Sequence, residues 1–497
     1  MRRPLSLLLA TLCATGPVLA GDRLMIVGGG PLPEESQVSI ERNVIWIDGL
    51  TQTPGYAERR LLFTAGPEKV KDVIEQRRGD AALRRYLPLS RIFGEQYDAL
   101  SVFRANRLDR IDAPATAASV DRQLAETLAA LRGGDSLWFI YNGHGGMESS
   151  DPSENTLRLW NDSTLDARRF ATLLRARPTN TVVRAFMPQC FSGGFASALA
   201  LNPESPSADH IDRLQCGFYS VPANQESEGC TVSVDAGEYR DYSTFFFAAL
   251  TGRTRQGEPL AVETADGGPP TLLDAHRWAY VNGHSTDLPF TSSEYFLELW
   301  QPWYTRWQSI GTPADDNPYF PVALTIAGRL GIDADTPATL AAAAARLRRD
   351  AEQRAATTRA SRDRLSTEEE ALRRIVLNDF LHHYPEALFP YNARWNQRLR
   401  ADESKIIDRI TGHPDYPKLA RLQDDLERLD RELLERERER AMVLRLQRML
   451  RLTTIHDLFM RQADEPARQT YAALRGCESW RPPLAGDDED GDGDRGR

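Results

Sequence analysis

The sequence has no excess of basic residues, which argues against nucleic acid as a partner. It contains 61 Lys and Arg against 71 Asp and Glu, so its formal net charge is −10 at pH 7. Proteins bind nucleic acid largely through Lys and Arg side chains that neutralise phosphate groups. Removal of a leader that contains Arg2 and Arg3 and no acidic residue would make the charge −12. We therefore expect no nucleic-acid partner.

The sequence also lacks an apolar run long enough to cross a bilayer. A transmembrane helix needs about 20 apolar residues, whereas the first apolar run extends only from Leu5 to Ala14. That run follows two arginines and precedes small residues ending at Ala20, which is the pattern of a secretory signal peptide. The sequence predicts a signal peptide over residues 1–20, a secreted or periplasmic protein, and no transmembrane span.

Cysteine is scarce, with five residues in 497. Four lie beyond the predicted signal peptide: Cys190, Cys216, Cys230 and Cys477. If Cys190 is a reactive thiol, an odd number remains for disulfides in an oxidising compartment. Cys216 and Cys230 flank one strand-and-loop unit, so a bridge between them fits, but Cys477 can take the place of either. The sequence leaves the pairing open.

No complete cofactor or metal motif is present. Gly28-Gly29-Gly30 follows a strand-like run, but the dinucleotide fingerprint Gly-x-Gly-x-x-Gly is not met because Pro33 occupies its last position. The acidic stretch Gly486–Arg497 only partly matches a calcium loop, since the closing Glu is missing. We therefore predict no cofactor, no metal and a disordered acidic tail.

Two strand-like runs each end in a residue that is capable of chemistry. Ser136–Tyr141 precedes Asn142-Gly143-His144-Gly145-Gly146, and Thr181–Met187 precedes Pro188-Gln189-Cys190. Short apolar runs rich in aromatic and β-branched residues are typical of buried parallel strands. The sequence therefore places both motifs at the carboxyl ends of strands.

The segment between these runs predicts how the two motifs meet. An amphipathic helix is expected from Thr164 to Arg177, so strand, helix and strand form a parallel crossover. Ligands of an open α/β sheet bind beyond the carboxyl ends of its strands. We expect His144 and Cys190 to face each other across such a site.

A Cys beside an imidazole is a nucleophile with its base. We therefore assign catalysis to Cys190 and His144, and the oxyanion hole to the backbone amides of Gly145 and Cys190. A helix that begins at Gly193 is expected to lower the pKa of Cys190 through its dipole. Taken alone, a His-Gly pair is usually a turn and a Cys is usually a small buried hydrophobe. Their order and their place at two strand ends favour catalysis.

The His-Gly strand end followed by a Cys-x-Ser-Gly strand end resembles the caspase-like superfamily of cysteine peptidases, which includes caspases, metacaspases, gingipains and legumains. His144 precedes Cys190 by 46 residues, close to the roughly 50 found in caspases. Downstream, Tyr219–Cys230 and Arg240–Phe245 are most similar to the legumain branch. The resemblance covers residues 22–300 in order.

The resemblance implies a caspase-like α/β fold, with a parallel-dominated sheet sandwiched by helices. It also implies a primary specificity pocket with the following residues: Pro188, Gln189, Glu226, Ser227, Glu228 and Asp241. If Glu228 and Asp241 both line the pocket, Coulomb attraction favours a basic or polar residue at the scissile bond. Pro188 departs from the family, which has an acidic residue or Gln there. The Asn that orients the His in legumains has no counterpart within Gly28–Pro31.

Helix and strand patterns alternate along the rest of this part. Strands are expected at Leu24–Val27, Arg60–Gly66 and Leu100–Arg104, and helices at Pro33–Ile47 and Ala118–Leu131. The alternation is typical of a doubly wound parallel sheet.

The composition changes near Asp333, where Ala, Arg, Glu and Leu begin to recur at helical spacing. Residues 336–374 and 418–452 predict two long helices, the second with coiled-coil spacing, joined by a turn at Phe380–Trp395. The chain is therefore divided into a signal peptide at 1–20, a caspase-like peptidase domain at 21–310, a coiled-coil-like helical domain at 311–480 and an acidic tail at 481–497.

Two functions fit these patterns. The first is a secreted cysteine endopeptidase that acts on a peptide or protein substrate. The second is a weak or inactive caspase-like protein that binds a protein partner through its C-terminal helices. Legumains have a C-terminal helical segment that caps the active site, but charged heptads favour an interaction arm over a lid.

Overall fold

In the computed structural model, which describes residues 21–199, 213–307, 310–389 and 391–485, short apolar runs form one central sheet. The strands are β1 Asp22–Gly29, β2 Tyr56–Phe63, β3 Val73–Gln76, β4 Ser101–Arg104, β5 Ser136–Met147, β6 Asn155–Leu159, β7 Ser163–Asp166, β8 Val182–Met187, β9 Gln215–Tyr219 and β10 Phe290–Thr291. Strands β2, β1, β5, β8 and β9 are parallel neighbours in that order, and β10 pairs antiparallel with β9. The predicted α/β class with a mostly parallel sheet is confirmed. The predicted signal peptide and the tail from residue 486 lie outside the described ranges.

The helices are α1 Val38–Leu50, α2 Ala81–Arg84, α3 Leu87–Phe93, α4 Ala117–Ala129, α5 Ala167–Arg175, α6 Gly193–Leu199, α7 Tyr242–Thr251, α8 Leu272–Asn282, α9 Ser292–Trp300, α10 Phe320–Arg329, α11 Pro337–His383, α12 Ala393–Ala401, α13 Glu403–Thr411, α14 Tyr416–Gln462 and α15 Glu465–Glu478. Within the described ranges, none of them combines the length and the apolar character that a membrane crossing requires.

Helices cover both faces of the sheet because successive strand residues point to opposite sides. Met25 and Val27 of β1 pack with apolar side chains of α4, α5 and α6 on one face. Leu24 and Ile26 pack with α1, α7 and α8 on the other. The result is a three-layer arrangement whose strand ends are free to form a crevice.

Two predicted elements begin later than the sequence suggested. The helix expected from Pro33 starts at Val38, after a short 3-10 turn at Pro33–Glu35. The helix expected from Thr164 starts at Ala167, since the residues before it pair with β6 as strand β7. In each case the residues that were expected to begin the helix make backbone contacts outside it.

Strand β4, predicted as a member of the parallel sheet, is not part of it. It pairs antiparallel with β3 in a separate two-stranded sheet. Its four residues are only partly buried, and Phe103 is 39% exposed. A strand inside a parallel sheet needs burial on both faces, and this one does not provide it.

The long helices α11 and α14 form an antiparallel hairpin, as predicted. Ion pairs between them run in opposite chain directions: Arg354–Glu439, Arg359–Glu437, Arg362–Asp430 and Lys418–Glu368. The connection is longer than the predicted turn at Phe380–Trp395, because α12 and α13 follow it. These helices bury Trp395 and Ile406 in a small core that also contains Phe93 of α3.

The hairpin and the α/β part are joined through shared cores and a disulfide. Leu446 and Ile455 of α14 pack with Tyr280 of α8 in one cluster. Cys216 of β9 is bonded to Cys477 of α15. The alternative Cys216–Cys230 pairing is therefore wrong, because α15 packs directly against β9.

Candidate active site

The ends of β5 and β8 place the two predicted catalytic residues at the same edge of the sheet. The strands are parallel neighbours, and Ile140 pairs with Phe186 at the end of their register. His144 is four residues beyond Ile140, and Cys190 is four residues beyond Phe186. Both residues therefore leave the same edge of the sheet, where ligands of α/β proteins bind.

The backbone segments after the two strands are in close contact. A β-carbon at Gly145 would lie 1.9 Å from the carbonyl oxygen of Cys190, so only glycine fits there. Phe191, directly after Cys190, has a φ of 58°, a left-handed conformation that is strained for a bulky residue. Its N–H donates to the backbone oxygen of Gln225 at 2.8 Å, and this hydrogen bond holds the conformation. Backbone strain that the surrounding structure holds in place in this way is concentrated at functional sites.

His144 is oriented by the segment that follows β1. Its Nε2 donates to the backbone oxygen of Glu35 at 2.8 Å and to the side-chain oxygen of Gln37 at 2.9 Å. Since a carbonyl oxygen can only accept, the neutral imidazole carries its proton on Nε2, and Nδ1 is the nitrogen that can take a proton. Burial lowers the pKa of His144, against the effect of the Glu35 hydrogen bond. The resting imidazole is therefore a neutral base.

Gln37 is a site residue that the sequence reasoning missed. The orienting residue was sought within Gly28–Pro31, but the chain turns tightly at Gly30, where a β-carbon would meet the Glu35 carbonyl oxygen at 2.0 Å. This turn returns Glu35 and Gln37 to the imidazole of His144. The only sequence signal was an amide side chain shortly after the first strand. It becomes meaningful only once the turn is known.

Gln37→Ala is expected to lower kcat for peptide hydrolysis about tenfold with little change in KM, because one of two hydrogen bonds that hold the imidazole is lost. Steady-state kinetics on a peptide substrate measure this. In Gln37→Glu the hydrogen-bond acceptor for His144 remains, and its negative charge favours the imidazolium form of His144. The acid limb of the pH–rate profile should therefore move to higher pH. Unchanged kcat in Gln37→Ala and an unmoved profile in Gln37→Glu would contradict the role.

The Cys190 thiol contacts the loop after β9. Its Sγ accepts a hydrogen bond from the N–H of Ser227 at 3.3 Å and lies 3.7 Å from the Ser227 carbonyl oxygen. Across the described ranges, no hydrogen bond joins Sγ to His144. Burial raises the pKa of Cys190 against the effect of the Ser227 amide. The net pKa of Cys190 is therefore raised and not lowered as expected from the helix at Gly193, because burial disfavours the thiolate.

A small cavity of about 30 Å³ opens beside Cys190. By volume it has room for about two water molecules. Five of the six predicted pocket residues line it: Pro188, Gln189, Ser227, Glu228 and Asp241. Glu226 is exposed on the loop and is not among the lining residues.

Asp241 has a structural role besides its place in the cavity wall. It is the N-cap of α7 and accepts hydrogen bonds from the amide and the hydroxyl of Thr244, at 3.1 and 2.8 Å. Its Oδ2 also accepts from Asn43 at 3.0 Å, and Asn43 accepts from Arg255. The guanidinium of Arg255 lies 4.5 Å from the ring centre of Trp46. The carboxylate is therefore held in place by the protein and has little freedom to move.

A second thiol, Cys230, lines the same cavity. It is free and exposed, because the bond between Cys216 and Cys477 leaves it without a disulfide partner. Sequence reasoning treated Cys230 only as one of three candidates for a disulfide and did not place it at the site. A thiol reagent can therefore meet two cysteines here, and a labelled residue has to be located by peptide mapping.

No protein-family model matches the sequence, and no curated protein is similar to it. Among solved structures, the chain is similar to protein GSU0716 from Geobacter sulfurreducens, a structural-genomics target, with 14% identity and a TM-score of 0.28. The match covers 46% of this chain and 81% of that chain. A likeness at this level carries no argument about function, so the assignment depends on the site alone.

Proposed function

We propose that this protein is a secreted or periplasmic cysteine endopeptidase of the caspase-like type, with Cys190 and His144 as its catalytic dyad. The observation that carries the proposal is the meeting of their two segments at one edge of a parallel sheet, beside a cavity. A nucleophile, a neutral base and strand-end amides in one crevice are the parts that acyl transfer requires.

In the proposed reaction, Cys190 Sγ leaves the Ser227 backbone and attacks the substrate carbonyl carbon while His144 Nδ1 takes the thiol proton. The amides of Gly145 and Cys190 stabilise the oxyanion. His144 then gives its proton to the leaving amine as the C–N bond breaks. Water, activated by the same imidazole, hydrolyses the thioester and restores the thiol. The raised pKa of Cys190 and the lowered pKa of His144 make the resting dyad a neutral pair.

Labelling by a peptidyl acyloxymethyl ketone tests the proposal. We expect Cys190 to be labelled in preference to Cys230, and labelling to disappear in His144→Ala, because the reagent needs both nucleophile and base. Since burial raises the pKa of Cys190, the rate of plain iodoacetamide alkylation should keep rising with pH above about 8.5. Peptide mapping by mass spectrometry locates the label. Equal labelling of both thiols, or labelling that survives in His144→Ala, would contradict the proposal.

A second candidate function, partner binding by the hairpin, has one specific observation in its favour. Three large apolar side chains are exposed at the far end of the hairpin: Leu388 at 56%, Phe389 at 68% and Tyr391 at 71%. Exposed apolar groups of this kind mark interaction surfaces when they form a patch. In a protein with only this function, the acyloxymethyl ketone would not label Cys190 in preference to Cys230, and labelling would not depend on His144.

A further inference from the structure

The C-terminal hairpin reaches the wall of the cavity beside Cys190. Arg438 of α14 donates from Nε to both carboxylate oxygens of Glu228, at 3.1 and 3.2 Å, and its Nη2 contacts the same carboxylate. The two side chains are only 11% and 15% exposed. A paired guanidinium and carboxylate with so little exposure interact more strongly than a solvated surface pair.

Helix α14 holds Arg438 in a fixed position. Seven residues later, the buried Arg445 donates to backbone oxygens of the segment 280–287. Arg448 is paired with Glu294 at 2.9 Å and with Glu298 at 3.0 Å. These contacts anchor the helix on the α/β part. The guanidinium of Arg438 is therefore held in place against Glu228, which lines the cavity.

The pair determines the net charge beside Cys190. Glu228 and Asp241 are the two carboxylates among the residues that line the cavity. With Arg438 in place, the charge of Glu228 is balanced, while Glu435, which also contacts this guanidinium, is half exposed and does not line the cavity. Without Arg438, an uncompensated carboxylate would remain in the wall. Little solvent is present there to screen this charge, so its electrostatic field would act over several ångströms. The charge of a substrate side chain bound against this wall would respond to that difference.

We propose that Arg438 is a specificity-determining residue of the site. By neutralising Glu228, it makes the cavity prefer peptides whose residue on the acyl side of the scissile bond is uncharged over peptides with a cation there. This inference rests on the proposed function and names its substrate class. It also revises the sequence-based expectation of a basic or polar residue, which took no account of Arg438.

Two peptides that differ only by lysine or norleucine at that position test the inference, since the two side chains share the same methylene stem. The measured quantity is the ratio of kcat/KM for the lysine peptide to that for the norleucine peptide. We expect the ratio to rise about tenfold in Arg438→Gln and to fall about tenfold in Glu228→Gln, which removes the carboxylate from the cavity wall and leaves the guanidinium only its exposed partner Glu435. The Arg438→Gln/Glu228→Gln double variant should return to near the wild-type ratio.

Arg440→Gln is the matched control. Arg440 lies on the same helix, is 40% exposed and pairs with Glu437 of its own helix, so its loss should leave the ratio unchanged. A purely structural role of Arg438 would lower both kcat/KM values equally, and an unchanged ratio in an active variant overturns its role in specificity. If Arg438→Gln does not fold, the fall expected in Glu228→Gln decides the question. Absence of hydrolysis of both peptides by the wild type overturns the proposed function itself.

Discussion

Replacement of Cys190 by Ser is expected to lower kcat/KM for peptide hydrolysis by at least about a thousandfold. A hydroxyl gives up its proton far less readily than a thiol. Burial also lowers the pKa of His144, which makes the imidazole a weaker base toward the alcohol. The loss should appear mainly in kcat, because the cavity beside residue 190 keeps its shape. Initial rates on a fluorogenic peptide, measured beside the wild type, give the value.

Cys230→Ser is the matched variant, since it makes the same sulfur-to-oxygen change in the same cavity. It retains the Cys190 thiol, so an acyl-enzyme on residue 190 should still be trapped and seen by mass spectrometry. Both variants should show the wild-type circular dichroism spectrum. If Cys190→Ser keeps activity within tenfold of the wild type, another residue is the nucleophile.

Replacement of both Cys216 and Cys477 by Ala is expected to lower the free energy of unfolding by about 4 kcal/mol. The bond joins residues separated by 261 positions, and a crosslink that closes so long a loop removes much of the entropy of the unfolded chain. It also ties α15 to β9, on the edge of the sheet. Denaturant unfolding followed by circular dichroism measures the change.

Cys230→Ala provides the comparison for stability, because Cys230 is exposed and takes no part in a disulfide. Its free energy of unfolding should stay within about 0.5 kcal/mol of the wild type. A reducing agent should destabilise the wild type and leave the Cys216→Ala/Cys477→Ala variant unaffected. If the double variant and the wild type are equally stable without a reducing agent, the disulfide contributes nothing to the free energy of unfolding.

The two residues of the proposed dyad and the hairpin were accessible to sequence reasoning because both follow from local patterns. His144 and Cys190 each follow a short apolar run, and such runs predict buried strands. The hairpin follows from apolar residues at helical spacing. The protonation of Cys190 was not accessible in this way, since its pKa depends on how deeply the folded chain buries it.

The residues that tune the site came from distant parts of the chain. Gln37 reaches His144 across 107 positions and Arg438 reaches Glu228 across 210. Neither residue belongs to a motif, and each would pass for a solvated polar side chain in the sequence. The same holds for Cys477, whose partner was decided by the packing of α15 on β9.

The amino-acid sequence by itself determined the strand ends that carry His144 and Cys190, and the two helices of the hairpin, because hydrophobic spacing acts over a few residues. Only the tertiary structure decided which side chain orients the imidazole, which guanidinium balances the acidic wall of the cavity, and which cysteines are bonded. Contacts between segments hundreds of residues apart depend on how whole elements pack, and no local pattern records that packing.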